Sequence, residues 1–241
     1  MNNQKIDVAI IGAMDEEVAA LLALMDDYEK HAHMHSVYYV GMLQGKRVVV
    51  FQSGLGKVNA ALAAAFVLER FAPRYVMNIG SAGGLDEGLE ERLNIGDVVV
   101  SSAALYHDVD VTLLGLAYGQ LPGMPVVFEA DAKLVALTEQ AVREATQLRS
   151  VKGVIGSGDA FMSDPAQIAL VRGRFPQVVA VDMEAAAVAH TCYLYDTPFV
   201  VIRAISDVVT RPDNHVDFFS FLPKAAANSA KVVERVVALL T

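Results

Sequence analysis

Seven short apolar, β-branched runs recur along the 241 residues, and most of them end in a small or polar residue. They are Ile6–Ile11, Arg47–Gln52, Tyr75–Ile79, Asp97–Ser101, Val151–Ile155, Val178–Val181 and Phe199–Ile202. Runs without polar alternation suit strands covered on both faces, so the sheet they form needs a layer on each side. Helical stretches fall between several of them: Glu16–Met25, Lys57–Phe71, Ala132–Gln147, Pro165–Phe175, Glu184–Leu194 and Pro223–Leu240. Ala60, Ala64 and Val67 repeat at helical spacing, as do Val232, Val236 and Leu239. Strand–helix alternation predicts an α/β fold with a mostly parallel sheet. No linker, low-complexity tract or solenoid-period repeat divides the chain, so a single domain over residues 1–241 is expected.

Composition narrows the function classes. Hydrophobic residues make up 54% of the chain, which excludes disorder as its ground state. The formal charge of −9, with no basic run, argues against nucleic-acid binding and against an anionic membrane surface. One cysteine, Cys192, cannot form an intrachain disulfide, and its Ala-rich helical setting reads as core. Apolar runs such as Ala60–Leu68 are too short to span a bilayer. Val8–Met14 runs at once into Asp15, Glu16 and Glu17, unlike a signal peptide. A cytoplasmic protein is the expectation.

Ligands of such sheets collect at the carboxyl ends of the strands. Six segments there carry small residues and chemistry-bearing side chains: Gly12–Glu17, Ser53–Lys57, Gly80–Gly84, Ser157–Phe161, Asp182–Glu184 and Arg203–Asp207. Gly12 begins no G-x-G-x-x-G fingerprint, and Ser53–Lys57 lacks P-loop spacing and reads as a strand–turn–helix junction. Asp15, Glu16 and Glu17 are either interchangeable helix-start acids, or one of them points into the cleft as a base. His31, His33 and His35 alternate and so share one face of an extended segment, which reads as solvated and metal-free. The His107–Asp110 segment reads as a loop with locally satisfied polar groups. Glu184 and Asp207 follow strand runs amid apolar neighbours. Buried carboxylates need partners. Arg203, four residues before Asp207, is a candidate partner for Glu184, and the carboxylates read either as part of a fold-fixing ion pair or, with Glu17, as an acid-plus-base site of the glycoside-cleaving kind.

In combination, the motifs IIGAMDEEV, SGLGKV, NIGSAGGL, YHDVDVT, YGQLPG, SGDAF, VDMEAAAVAH and VVIRAISDV are specific. The chain resembles the bacterial 5′-methylthioadenosine/S-adenosylhomocysteine nucleosidases of the nucleoside phosphorylase superfamily, from Ile6 to the last helix. The resemblance implies a three-layer α/β/α sandwich around a central twisted mixed sheet. It implies hydrolysis of the N-glycosidic bond of 5′-methylthioadenosine, S-adenosylhomocysteine and 5′-deoxyadenosine, without cofactor or metal. Such an activity serves methionine salvage and removal of methyl-cycle by-products.

The resemblance also assigns residues. Glu17 is the base that activates water, and Asp207 the acid that protonates adenine N7. Glu184 binds the ribose hydroxyls, and Met183 and Phe161 pack against ribose and base. The Met162 backbone reads the adenine edge, and Ser81 and Gly83 line the cleft. Arg203 and Ser206 orient the carboxylates, and Phe218 closes over the substrate. A homodimer partner completes the 5′-thio pocket with the residues matching Val111 and Pro122.

The chain departs from the family at several positions. Asp182 stands where Glu is frequent, a change expected to matter little. Leu114 and Leu116 stand where aromatics are common, Asp86–Asn94 is longer than usual, and the stretch after Asp207 differs. Three other readings compete. One is a phosphorylase, which would need cationic and N–H groups for phosphate where this chain has three acids. Another is a hydrolase of a 6-aminofutalosine-type substrate. The last is a non-catalytic nucleoside-binding protein, which would need neither Glu17 nor Asp207.

Overall fold

The computed structural model describes residues 5–85, 92–211 and 214–241, with side chains of 214–216 left aside. Most of the long Asp86–Asn94 segment and part of the stretch following Asp207 therefore lie outside the described residues. In chain order the strands are β1 (Val8–Gly12), β2 (Asp27–His33), β3 (Ser36–Leu43), β4 (Lys46–Gln52), β5 (Tyr75–Gly84), β6 (Val98–Tyr106), β7 (Phe128–Glu129), β8 (Ser150–Ser157), β9 (Val178–Asp182) and β10 (Phe199–Val208). The helices are α1 (Asp15–Leu22), α2 (Lys57–Phe71), α3 (Ala132–Ala145), α4 (Pro165–Arg174), α5 (Ala185–Leu194) and α6 (Asn214–Leu239). All seven sequence-read strands and all six helices are present, in one mixed sheet.

Alternate residues of a buried strand face opposite sides, so each strand feeds two cores. Val8 and Ile10 of β1 pack with Met77, Ile79, Val200 and Ile202, and with apolar residues of α1, α3 and α6. Ala9 and Ile11 pack on the other side with Val76, Val201, and the alanine-rich faces of α2 and α5. These are the outer layers of the expected α/β/α sandwich. The small residues Ala60, Ala64 and Ala185–Ala189 are buried where α2 and α5 meet the sheet. Pro165 and Asp164 start α4, with the Asp164 carboxylate accepting the Ala166 N–H.

The sheet does more than alternate layers. Five strands close into a ring, with β5 beside β10, β10 beside β6, β6 beside β8, β8 beside β9, and β9 back to β5. The closing pair is Gly83 and Gly84 against Val181 and Ala180. A Cβ on Gly83 would fall 2.5 Å from Val209 Cγ1 and one on Gly84 3.2 Å from Leu93 Cδ1, so the glycines make room for the side chains packed over the closing pair. The strand-end segments on this ring converge on one point.

Two expectations needed correction. The segment containing His31, His33 and His35 lies largely in the β2–β3 hairpin at the sheet edge. His31 stacks on Tyr38 and His33 on Phe66, at 4.9 and 3.8 Å between ring centres. The hairpin escaped the sequence reading because Glu29, Lys30 and His31 show no apolar run; charged side chains suit an edge strand. The last helix begins at Asn214, not at Pro223, which lies inside it. A proline suggests a first turn, but here the helix accepts an interior one, and the turns before it carry Phe218 toward the cleft.

Candidate active site

A cleft of about 540 Å³ opens at the carboxyl ends of β1, β5, β8, β9 and β10. Apolar side chains dominate its wall, among them Met14, Leu55, Phe161, Met183, Val209 and Phe218. Glu17, Glu184 and Asp207 also line it, and all three are at least nine-tenths buried. Such a cleft joins an apolar body to a few convergent ionisable groups, the usual make-up of a small-molecule site.

Glu17 is singled out from its neighbours by burial. Asp15 and Glu16 are exposed, whereas Glu17, on the third residue of α1, turns back over the helix start. Its Oε2 accepts the N–H groups of Ala13 (2.8 Å) and Met14 (3.1 Å). Its Oε1 accepts the Ser81 N–H (3.2 Å). The three acids are therefore not interchangeable. Burial raises the Glu17 carboxyl above its ordinary range, against the opposing pull of Arg203 and the three N–H groups. That direction makes a stronger base for water. Gly80 makes room for the arrangement, since a Cβ there would stand 3.0 Å from Glu17 Oε1 and 3.2 Å from Arg203 Nη1.

Asp207 reaches the cleft through a bulge. β10 pairs Ile205 with Ala82 and Asp207 with Gly83, so Ser206 is an extra residue against β5. Bulges re-aim side chains, and this one brings both Ser206 and Asp207 to the cleft wall. The Ser206 hydroxyl donates to Asp207 Oδ1 at 2.9 Å.

Arg203 does not pair with Glu184 as the spacing suggested. Its guanidinium is buried against Asp182, with Nη2 2.6 Å and Nε 2.8 Å from Oδ2, and Nη2 also donates to Asn78 Oδ1 at 2.6 Å. Asp182, the final residue of β9, is the nearer partner across the ring and also accepts the Ser157 hydroxyl. Asp182, which stands where Glu is frequent in the family, thus anchors the buried Arg203. A buried guanidinium left without its carboxylate would cost about 3–5 kcal/mol.

Glu184 instead accepts the Gly56 N–H through Oε1 at 2.8 Å. The Ser53–Lys57 junction thereby enters the site through its backbone. Burial and the Asp182 charge push Glu184 up to about 7; Arg203 and the Gly56 N–H oppose the rise, and Glu17 adds to it. An acid raised in the folded state holds its proton more tightly there than in the unfolded chain. Stability then falls as pH rises from the ordinary value of 4.5 toward about 7, and stays reduced above it. Glu184→Gln removes the charge and keeps an oxygen for Gly56. At pH 8 the variant is expected to melt above the parent, by about 2–4 °C for each kcal/mol recovered, and the gap should close toward pH 5. Thermal melts at the two pH values check this, and a variant that melts lower at pH 8 contradicts it.

The cleft gathers Ser81, Gly83, Phe161, Met162, Met183, Glu184, Arg203, Ser206, Asp207 and Phe218 with Glu17. Phe161 and Phe218 meet edge to face at 5.6 Å. Val111 and Pro122 are not on its wall. Pro122 is exposed and Val111 half-buried, in the segment between β6 and β7. Sequence reasoning missed Asp159 and Leu55 as wall residues, although both lie in segments it singled out. Among the described residues, no three His, Cys, Asp or Glu side chains are grouped to hold a metal ion.

A closed mixed sheet with convergent carboxylates fits the phosphorylase superfamily, whose model matches residues 7–238. Among relatives, the chain is 46% identical over 230 residues to a Bacillus cytotoxicus 5′-methylthioadenosine/S-adenosylhomocysteine nucleosidase, covering 95% of this chain and 97% of the relative. The nucleosidase of that name from Neisseria meningitidis, solved with methylthio-immucillin-A, superposes with a TM-score of 0.92 at 43% identity, covering 97% and 99% of the two chains. The Colwellia psychrerythraea nucleosidase, solved with adenine, gives 0.91 at 42% identity, covering 98% and 96%. The chain belongs to the 5′-methylthioadenosine/S-adenosylhomocysteine nucleosidases of this superfamily.

Proposed function

We propose that the protein hydrolyses the N-glycosidic bond of 5′-methylthioadenosine and S-adenosylhomocysteine, giving adenine and a 5-thio-substituted ribose. The observation that carries this reading is the three-point grip on Glu17. The N–H groups at the start of α1 would attract phosphate in a phosphorylase, but here they hold the chain's own carboxylate. With Asp15 and Glu16 exposed beside it, phosphate is repelled, and water is the nucleophile. Buried carboxylates for the roles of acid and base favour this reading, since a protein that only binds nucleosides needs neither.

Adenine leaves poorly as an anion, so protonation of N7 is the main demand. Asp207, oriented by Ser206, supplies that proton. The ribosyl group becomes oxocarbenium-like and is favoured by the surrounding carboxylates. Water activated by Glu17 adds from the face opposite adenine. Glu184 accepts the ribose hydroxyls, Phe161 and Met183 pack on base and sugar, and the Met162 backbone reads the adenine edge. Phe218 covers the ligand. Product analysis tests the reaction: adenine and a free 5-thioribose are expected from both substrates, and a ribose 1-phosphate would overturn it. In a cell this activity would serve methionine salvage and removal of methyl-cycle by-products in the cytoplasm.

We further infer a homodimer in which Val111 and Pro122 line the neighbouring copy's 5′-thio pocket. The same segment exposes Leu113 fully and Leu114 to 70%, and large exposed apolar side chains mark interaction surfaces. Sedimentation should give twice the chain mass of 25.9 kDa, and a monomer at assay concentration would refute the shared pocket.

A further inference from the structure

The two proposed substrates differ only in the arm on sulfur, a methyl group in one and a zwitterionic amino acid in the other. Apolar side chains dominate the cleft wall, yet one charged side chain on it has no part in the chemistry above. Asp159 follows β8, lines the cleft, and keeps about half of its side chain exposed. Its placement is set by the turn before α2. In that turn the Gly56 N–H donates to Glu184 and the next N–H, of Lys57, donates to Asp159 Oδ1 at 2.8 Å. Successive amides thus hold the two carboxylates side by side, Glu184 buried and Asp159 at the mouth. Gly56 allows this, with φ of 92° and only 3.1 Å between an added Cβ and Asp159 Oδ1.

The second charge is Lys57. Its ammonium is tied to Asp108 Oδ2 at 2.5 Å and lies 3.7 Å from Asp159 Oδ2, beyond hydrogen-bond distance. Asp108 also accepts the Asp159 N–H at 3.1 Å, which fixes the pair. A lysine at a helix start opposes the helix dipole, so its retention there rests on these two carboxylates. The result is a carboxylate on the cleft wall, Asp159, with the Asp108-bound ammonium of Lys57 3.7 Å behind it.

We propose that Asp159 and Lys57 recognise a zwitterionic amino-acid arm on the 5′ sulfur, Asp159 taking the ammonium and Lys57 the carboxylate. This rests on the nucleosidase reading above. Asp159 is half-exposed and Lys57 about one-quarter exposed, so the expected contribution is a few-fold preference and not a requirement.

The test is the ratio of kcat/KM for S-adenosylhomocysteine to that for 5′-methylthioadenosine, in the parent and in Asp159→Asn. Asparagine keeps an oxygen for the Lys57 N–H. The ratio should fall about three- to fivefold. Equal losses for both substrates would reduce Asp159 to a structural cap and overturn the proposal, as would no change. A readout independent of any variant is the salt dependence of the parent. Raising salt from about 0.05 to 0.5 M should raise KM for the amino-acid substrate and leave the methyl substrate's KM steady. Parallel KM values again overturn it. If the parent releases adenine from neither substrate, the nucleosidase reading fails; if it cleaves both and only the ratio is unmoved, this inference alone fails.

Discussion

Asp207→Asn is expected to lower adenine release by about 10²–10⁴-fold while retaining affinity for an unreactive adenosine analogue. Asparagine has the size of aspartate and can still accept the Ser206 hydroxyl, so the bulge of β10 should persist. Its amide can approach N7 but has no proton to transfer at a useful cost. Turnover and binding therefore separate. Single-turnover rates with calorimetric affinities make the measurement. A near-normal rate would remove Asp207 from the chemistry. A parallel loss of affinity and rate would make it a structural residue at the ring closure.

Glu17→Gln should stop hydrolysis to a comparable degree, again about 10²–10⁴-fold, because water loses its base. Glutamine can accept the Ala13 and Met14 N–H groups through one oxygen, but its NH₂ would face the Ser81 N–H that now donates to Glu17 Oε1. Some local rearrangement accompanies the loss of the charge. Glu16→Gln is the companion variant. Glu16 is exposed one residue away, so its turnover should stay near the parent's. Parent-like turnover in Glu17→Gln, with Glu16→Gln inactive, would assign the base to the wrong acid.

The strand-end segments were legible because buried parallel strands are continuous apolar runs and the chemistry must follow them. Alternation of runs and amphipathic stretches gave the layers as well. Ring closure was not legible. It depends on Gly83 and Gly84 meeting Val181 and Ala180, residues about a hundred positions apart, and no local pattern encodes that register. The bulge at Ser206 is equally silent, since a bulge is a relation between two strands. Spacing along the chain offers Glu184 as a partner for Arg203, whereas the pairing with Asp182 is set by where β9 ends across the ring. The acids Asp15, Glu16 and Glu17 look alike in sequence. Only the turn of α1 over the end of β5 separates the buried one. Lys57 and Asp159 sat in segments already singled out, but their pairing depends on two loops meeting.

Every role assigned to Glu17 depends on water being the nucleophile. The direct measurement is the rate of adenine release from 5′-methylthioadenosine by the parent protein, in phosphate-free buffer and with phosphate added. A rate that is full without phosphate and unmoved by it is predicted. Release that requires phosphate would contradict the role of Glu17 and return the chain to the phosphorylases.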